Sequence, residues 1–242
     1  MLWGALLASA GFESAEPQRV LFVGNSLTSA NELPRLVEWL STDTGRPIQA
    51  SAVTRNNFSL DDHLADGAAA AAIARGGWSF VVLQQGPSAL AESQRALRAA
   101  ARQFDTLIRK VGAKPAFYMV WPADARRQDF AGVHASYAAA AADVGGLFLP
   151  AGDAWREAWA LDSGLALYGA DGFHPTPQAS YLAALVITHG LTGRSASTMP
   201  VRVAGWADAL LPPARARVLQ AAAEAAFRTT KRGIQPAKPR VY

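Results

Sequence analysis

Two short stretches carry residue types able to do nucleophilic chemistry together. Gly24-Asn25-Ser26-Leu27 follows the β-branched and aromatic run Val20-Leu21-Phe22-Val23, so a serine hydroxyl is presented where a strand ends in a tight turn. Far along the chain, Asp171-Gly172-Phe173-His174-Pro175 sets a carboxylate and an imidazole three residues apart in a loop with Gly and Pro. At that spacing the carboxylate can hold the proton of one ring nitrogen while the other nitrogen faces a nucleophile. Each stretch has a plain structural explanation when taken alone. Gly, Asn and Ser favour turns whatever the function, and Asp-x-x-His also suits a helix cap beside a surface histidine. Serine at the end of the first strand together with Asp-x-x-His-Pro before the last alanine-rich helix is a joint pattern, and its chemistry is acyl transfer through a serine.

The remaining candidates are weaker. Gly86-Pro87-Ser88 resembles a nucleophile elbow but lacks its second glycine. Asp61-Asp62-His63 does not make a metal site, because adjacent residues point to different helix faces, and no metal or cofactor is expected. His63 reads as a packing or capping residue, and His134 and His189 as surface or core residues. Trp121 reads either as a wall of a substrate site or as core, and Trp155 and Trp159, four apart, as a packed pair.

The elements that must position these residues follow from hydrophobic periodicity. Leu33, Leu36, Val37 and Leu40 fall at helical spacing, with Asn31 expected as N-cap and Pro34 in the first turn. Strands are expected at 20–23, 48–53, 80–83, 115–121 and 146–150. Helices are expected over the alanine-rich stretch after Ser59 or Asp61, over 92–111, 128–144 and 176–189, and over 214–229. Strands alternating with helices at this spacing imply a parallel sheet with right-handed crossovers. If the strand order is flavodoxin-like, the turns carrying Ser26, Asn57 and Gln84-Gln85 face one crevice at the switch point.

Composition bounds the rest. The chain has 242 residues, 50% of them hydrophobic and 17% charged, which suits a sizeable core. The net charge of +4 is concentrated between Arg228 and Arg240, so nucleic acid is not the expected partner. There is no cysteine, which excludes disulfides, thiolate nucleophiles and Cys-ligated zinc. Residues 2–10 are apolar and end in Ala8-Ser9-Ala10 without a preceding Lys or Arg; residues 1–18 are read as a leader remnant, favouring export to the periplasm or outside, with the cytoplasm as the alternative. No other run approaches the ~20 apolar residues of a membrane span. One α/β domain is expected over 19–193, with a helical extension and basic tail over 194–242 packed on it.

On Gly24-Asn25-Ser26-Leu27 and Asp171-Gly172-Phe173-His174 the sequence resembles the SGNH (GDSL-type) hydrolases, with Asn25 where many members carry Asp. The resemblance runs from about Arg19 to Gly193. It implies a three-layer α/β/α sandwich with a five-stranded parallel sheet, serine esterase activity without a metal, Ser26 as nucleophile, His174 as general base and acid, and Asp171 as its orienter. It also implies an oxyanion hole from the Ser26 and Asn57 backbone N–H groups and one side-chain amide. Asn57 stands in Asn57-Phe58-Ser59-Leu60 where the family has glycine. Gln84-Gln85-Gly86-Pro87-Ser88 stands where the family has Gly-x-Asn. Gln85 is assigned the amide role because it lies beyond the last strand-like residue, with Gln84 and Ser88 as alternatives. The implied substrate is a small-molecule or glycan ester with a short acyl group, acetyl on a carbohydrate being the leading case. A lipolytic esterase or thioesterase, or a catalytically silent glycan-binding relative, remains open at this point.

Overall fold

Five parallel strands form the centre of the computed structural model, which describes residues 16–201 and 211–234. They are β1 (Gln18–Gly24), β2 (Ile48–Thr54), β3 (Phe80–Leu83), β4 (Lys114–Tyr118) and β5 (Leu147–Leu149). The order across the sheet is β2-β1-β3-β4-β5, flavodoxin-like. β1 pairs with β2 from Gln18↔Ile48 to Gly24↔Thr54 and with β3 from Val20↔Phe80 to Val23↔Leu83. The chain winds outward in both directions from β1 and β3, so the crevice opens beyond their carboxyl ends. The sequence places Ser26 and Gln84-Gln85 there.

Helices cover both faces. On one side α2 (Leu33–Ser41) packs on α8 (Pro177–Thr192), and α8 packs on α7 (Ala151–Leu161) and α9 (Pro213–Ile234). On the other, α5 (Ala91–Lys110) packs on α6 (Phe130–Val144), on α3 (Leu60–Asp66) and on α4 (Ala68–Ala74). Val20, Phe22, Val81, Leu83 and Phe117 of the strands are fully buried between these layers, with Phe104 and Ile108 of α5. Each such side chain contributes roughly 1.5–3 kcal/mol of transfer free energy, and the continuous apolar run of β3 is the signature of a strand covered on both faces.

Several expectations are corrected. Asn31 does not cap α2: it sits in a 3₁₀ turn at φ +51°, followed by Glu32 at φ +54°, and its side chain is used elsewhere. The alanine-rich helix is two helices, because Gly67 at φ +79° closes α3 before α4 begins. Ser59 is the cap of α3, in a reciprocal capping box with Asp62. β4 ends at Tyr118, so Trp121 lies in the loop beyond it. α7 was not foreseen, although its Trp155 and Trp159 do pack edge to face at 5.8 Å. Of the leader remnant expected over 1–18, residues 1–15 lie outside the described residues and Gln18 already begins β1; of the basic stretch, residues 235–240 lie outside them. No helix among the described residues is long and apolar enough to cross a membrane.

Gly152, near the start of α7, lets that helix press on the end of β4. Its N–H donates to Met119 O at 3.0 Å, and a Cβ there would lie 2.3 Å from Val120 O. Gly152→Ala must therefore shift backbone. The expected cost is about 1–3 kcal/mol, or about 3–10 °C in Tm for a chain of this length. A thermal melt within 1 °C of wild type, as an order of magnitude for no effect, would show that α7 is not seated this way.

Candidate active site

β1 ends in Gly24, and Ser26 is the first residue of α1 (Ser26–Ser29), capped by the Asn25 side chain accepting from Leu27 N at 3.1 Å. The loop ahead of α8 carries Asp171 and His174. His174 Nε2 lies 2.9 Å from Ser26 Oγ, and His174 Nδ1 lies 2.5 Å from Asp171 Oδ2. Asp171 Oδ1 accepts the backbone N–H groups of Phe173 (3.0 Å) and His174 (2.9 Å). Those bonds, the His174 side chain first, hold the Asp171 carboxyl down at about 2. The carboxyl is therefore anionic at neutral pH, and both of its oxygens are engaged.

The loop is braced from four sides. Trp121, fully buried and stacked on Trp155 at 3.8 Å, donates its indole N–H to Phe173 O at 3.0 Å, so it is core and brace and not a substrate wall. Asp124 N donates to Gly172 O at 2.8 Å. Tyr168 bridges to Pro175 and donates its hydroxyl to Pro122 O at 2.7 Å. Asn31 Nδ2 reaches Pro175 O at 3.0 Å and Ser180 Oγ at 2.8 Å. Arg127, paired with Asp124, lies over the Trp159 and Tyr168 rings at 4.5 and 5.3 Å. Sequence reading missed Asn31, Asp124 and Tyr168, whose partners become visible only once the chain is folded.

Asn57 has φ +62°, the left-handed region that glycine takes freely and asparagine more readily than most residues. The Ser26 N–H is the first of α1 and has no acceptor within it. Gln85 is buried beside them: its Oε1 accepts from Leu60 N at 3.0 Å, and its Nε2 gives one hydrogen to Ser88 Oγ at 2.7 Å, leaving the second. Gln84 has no such freedom. Its Oε1 accepts from Asn25 N (2.9 Å) and Thr28 Oγ1 (2.6 Å), and its Nε2 donates to Asn25 Oδ1 (3.0 Å) and Gln85 O (2.6 Å). Ser88 donates its hydroxyl to Gly86 O at 3.0 Å, which is not the setting of a nucleophile.

The other histidines have separate duties. His63 is fully buried, bonds Gly24 O through Nε2 at 2.9 Å, and burial pushes its pKa down, so the neutral ring donates. His134 pairs with Asp153 at 2.6 Å, which raises the imidazole pKa, in an open groove of about 960 Å³ beside α6 and α7. The one hydroxyl among that groove's lining residues, Thr229, donates to Glu157. Among the described residues no cluster of three or more His, Asp or Glu is arranged to hold a metal. A second cavity, about 270 Å³, lies against the loops after β3 and β4, lined by Pro87, Ser88, Leu90, Pro122, Ala123 and Phe173 among others. Phe173 is the immediate neighbour of His174.

This chain resembles known proteins in sequence and in fold. It is 31% identical to an SGNH hydrolase of Slackia heliotrinireducens, over 73% of this chain and 100% of that one, with a TM-score of 0.63. A DUF4886-family protein of Bacteroides uniformis superposes over 89% of this chain and 96% of its own, at TM-score 0.76 and 18% identity. A mutant acetylxylan esterase of Geobacillus stearothermophilus shares the fold at TM-score 0.57 and 13% identity, over 72% of this chain and 94% of that one. No family model and no curated protein matches the sequence. The chain belongs to the SGNH hydrolase family.

Proposed function

We propose that this enzyme hydrolyses short-chain acyl esters, acetyl esters of carbohydrates being the leading case, through Ser26, His174 and Asp171. One observation carries the reading: an unbroken hydrogen-bonded line from the Asp171 carboxylate through the His174 ring to the Ser26 hydroxyl. His174 Nε2 takes the Ser26 proton as Oγ attacks the ester carbonyl. The anionic Asp171 steadies the imidazolium that results. The Ser26 and Asn57 N–H groups, with the second Gln85 Nε2 hydrogen, receive the developing oxyanion. His174 then protonates the leaving alcohol, and an acyl-enzyme remains. Water, deprotonated by the same nitrogen, releases the acid. A burst of p-nitrophenol from p-nitrophenyl acetate, with Ser26 covalently labelled by a fluorophosphonate, is the expected result. A folded protein unlabelled at Ser26 would refute the reading.

The cavity lined in part by Phe173, the residue next to His174 in sequence, is the site this reading assigns to the acyl group. Its volume of about 270 Å³ exceeds what an acetyl group fills. Ala123→Phe, which fills it, is expected to cut kcat/KM for p-nitrophenyl octanoate about 10-fold or more, at ~0.8 kcal/mol per CH₂ excluded from apolar contact. The acetate ester should change by less than about 3-fold. Equal losses on both esters would place the acyl group elsewhere.

A further inference from the structure

We propose that Asn25 and Gln84 form a buried amide clamp that sets the reactive geometry of the Ser26 turn, acting as positioning residues. The inference rests on the function proposed above and concerns residues that make no contact with substrate in it.

Several groups around the two amides have hydrogen-bonding roles that cannot be exchanged. The Asn25 backbone N–H can only donate, so the Gln84 atom 2.9 Å from it is Oε1. Gln85 O can only accept, so the Gln84 atom facing it is Nε2. That nitrogen must donate to the Asn25 side chain as well, and Leu27 N also donates there, so the shared Asn25 atom is Oδ1. The remaining Asn25 atom is then Nδ2, and it meets Phe58 O at 3.1 Å, an acceptor. Every amide orientation follows from backbone chemistry. Both positions of Gln84 on each end are filled, Gln84 is fully buried and Asn25 nearly so.

This chain of bonds joins three segments that supply the proposed chemistry. Gln84 anchors the end of β3. Asn25 is the residue before Ser26. Phe58 is the residue after Asn57, so its carbonyl ties the Asn57 turn to the Ser26 turn. Asparagine at position 25 fits the Phe58 carbonyl: a carboxylate in the same pose would set an unprotonated oxygen against Phe58 O. Gly24 belongs to the same device, since a Cβ would lie 2.4 Å from both Gln84 Oε1 and Thr28 Oγ1. A buried network is worth having only when all its members are satisfied, and this one is satisfied at every polar atom of both amides.

The test uses the isosteric variants Asn25→Asp and Gln84→Glu in the full chain. Each should lower kcat on p-nitrophenyl acetate about 10–100-fold, as small displacements of reacting groups do, while KM stays within about 3-fold. The rate of Ser26 phosphonylation should fall in parallel. The double variant should lose little more than the worse single one, because the residues act as a unit. Should either variant fail to fold, Thr28→Val removes only the hydroxyl donated to Gln84 Oε1 and should lower kcat roughly 3–10-fold with KM unchanged. Folded variants with wild-type kcat and labelling rate, additive losses in the double variant, or an unaffected Thr28→Val enzyme would overturn the clamp. Failure of wild-type Ser26 to react with the phosphonate would instead overturn the proposed function, so the two failures are distinguishable.

Discussion

Ser26→Ala and His174→Ala are each expected to lower kcat for p-nitrophenyl acetate by on the order of 10⁶-fold, with no further loss in the double variant. The non-additivity is the informative part. If the hydroxyl and the imidazole act only through each other, removing either one removes the shared function. What remains is the modest rate from substrate binding and oxyanion contacts. Neither variant should disturb the fold. The Ser26 hydroxyl is bonded to the His174 ring, and the ring's other partner is the half-exposed Asp171. The bonds that shape the loop run through the main chain at Gly172, Phe173, His174 and Pro175 instead. Thermal melts should therefore match wild type to within about 2 °C. A folded Ser26→Ala protein that retained even one part in a hundred of the activity would remove Ser26 from the chemistry, an excess over the expected residue of about 10⁴.

The sheet was legible because each strand is coded locally. Val20–Val23 and Phe80–Leu83 are apolar throughout, and only a strand buried on both faces needs that. With five strand-like runs separated by helical periodicity, β2 alternating and not continuously apolar, the flavodoxin-like order brings the turns after β1 and β3 together. The Ser26 and Asp171–His174 loops were legible as residue types, and the fold brings their side chains into one hydrogen-bonded line. What stayed hidden depends on partners far away in sequence. Asn31 looks like a cap from its neighbours, yet its amide is taken by Pro175 O and Ser180 Oγ on the far loop. Trp121 looked equally suited to a site wall or to the core, and only the Trp155 ring stacked on it decides. Gln84 and Gln85 are adjacent and chemically identical. Nothing local says that one is saturated by the Ser26 turn while the other keeps a hydrogen free. The folded turns separate them: Asn25 and Thr28 are brought to Gln84, Leu60 and Ser88 to Gln85.

Asp171→Asn isolates what the carboxylate does without altering its shape. In the wild-type loop Asp171 Oδ1 accepts two backbone N–H groups, so an asparagine would keep its oxygen there and turn its NH₂ toward His174 Nδ1. Two donors cannot face each other, so Nδ1 would have to give up its proton and the ring would carry it on Nε2. That tautomer donates to Ser26 Oγ where it must accept, and the serine has no base. The expected fall in kcat is about 10⁴-fold with KM little changed. Loss of the downfield Nδ1 proton resonance would report the tautomer directly. The pH dependence separates this cause from simple destabilisation. Because the folded carboxyl is held at about 2, below its ordinary ~3.9, the stabilisation it brings is present above pH ~4 and lost only as pH falls toward 2. Its side chain is 51% exposed, so solvent screens most of even that. Between pH 5 and 9 that screened contribution is fully present in wild type and missing from the variant, so the variant should melt slightly lower by the same small amount at every pH and yet be nearly inactive throughout. A loss of activity that tracked a loss of stability across the same window would mean that Asp171 holds the loop and does nothing for the proton on His174.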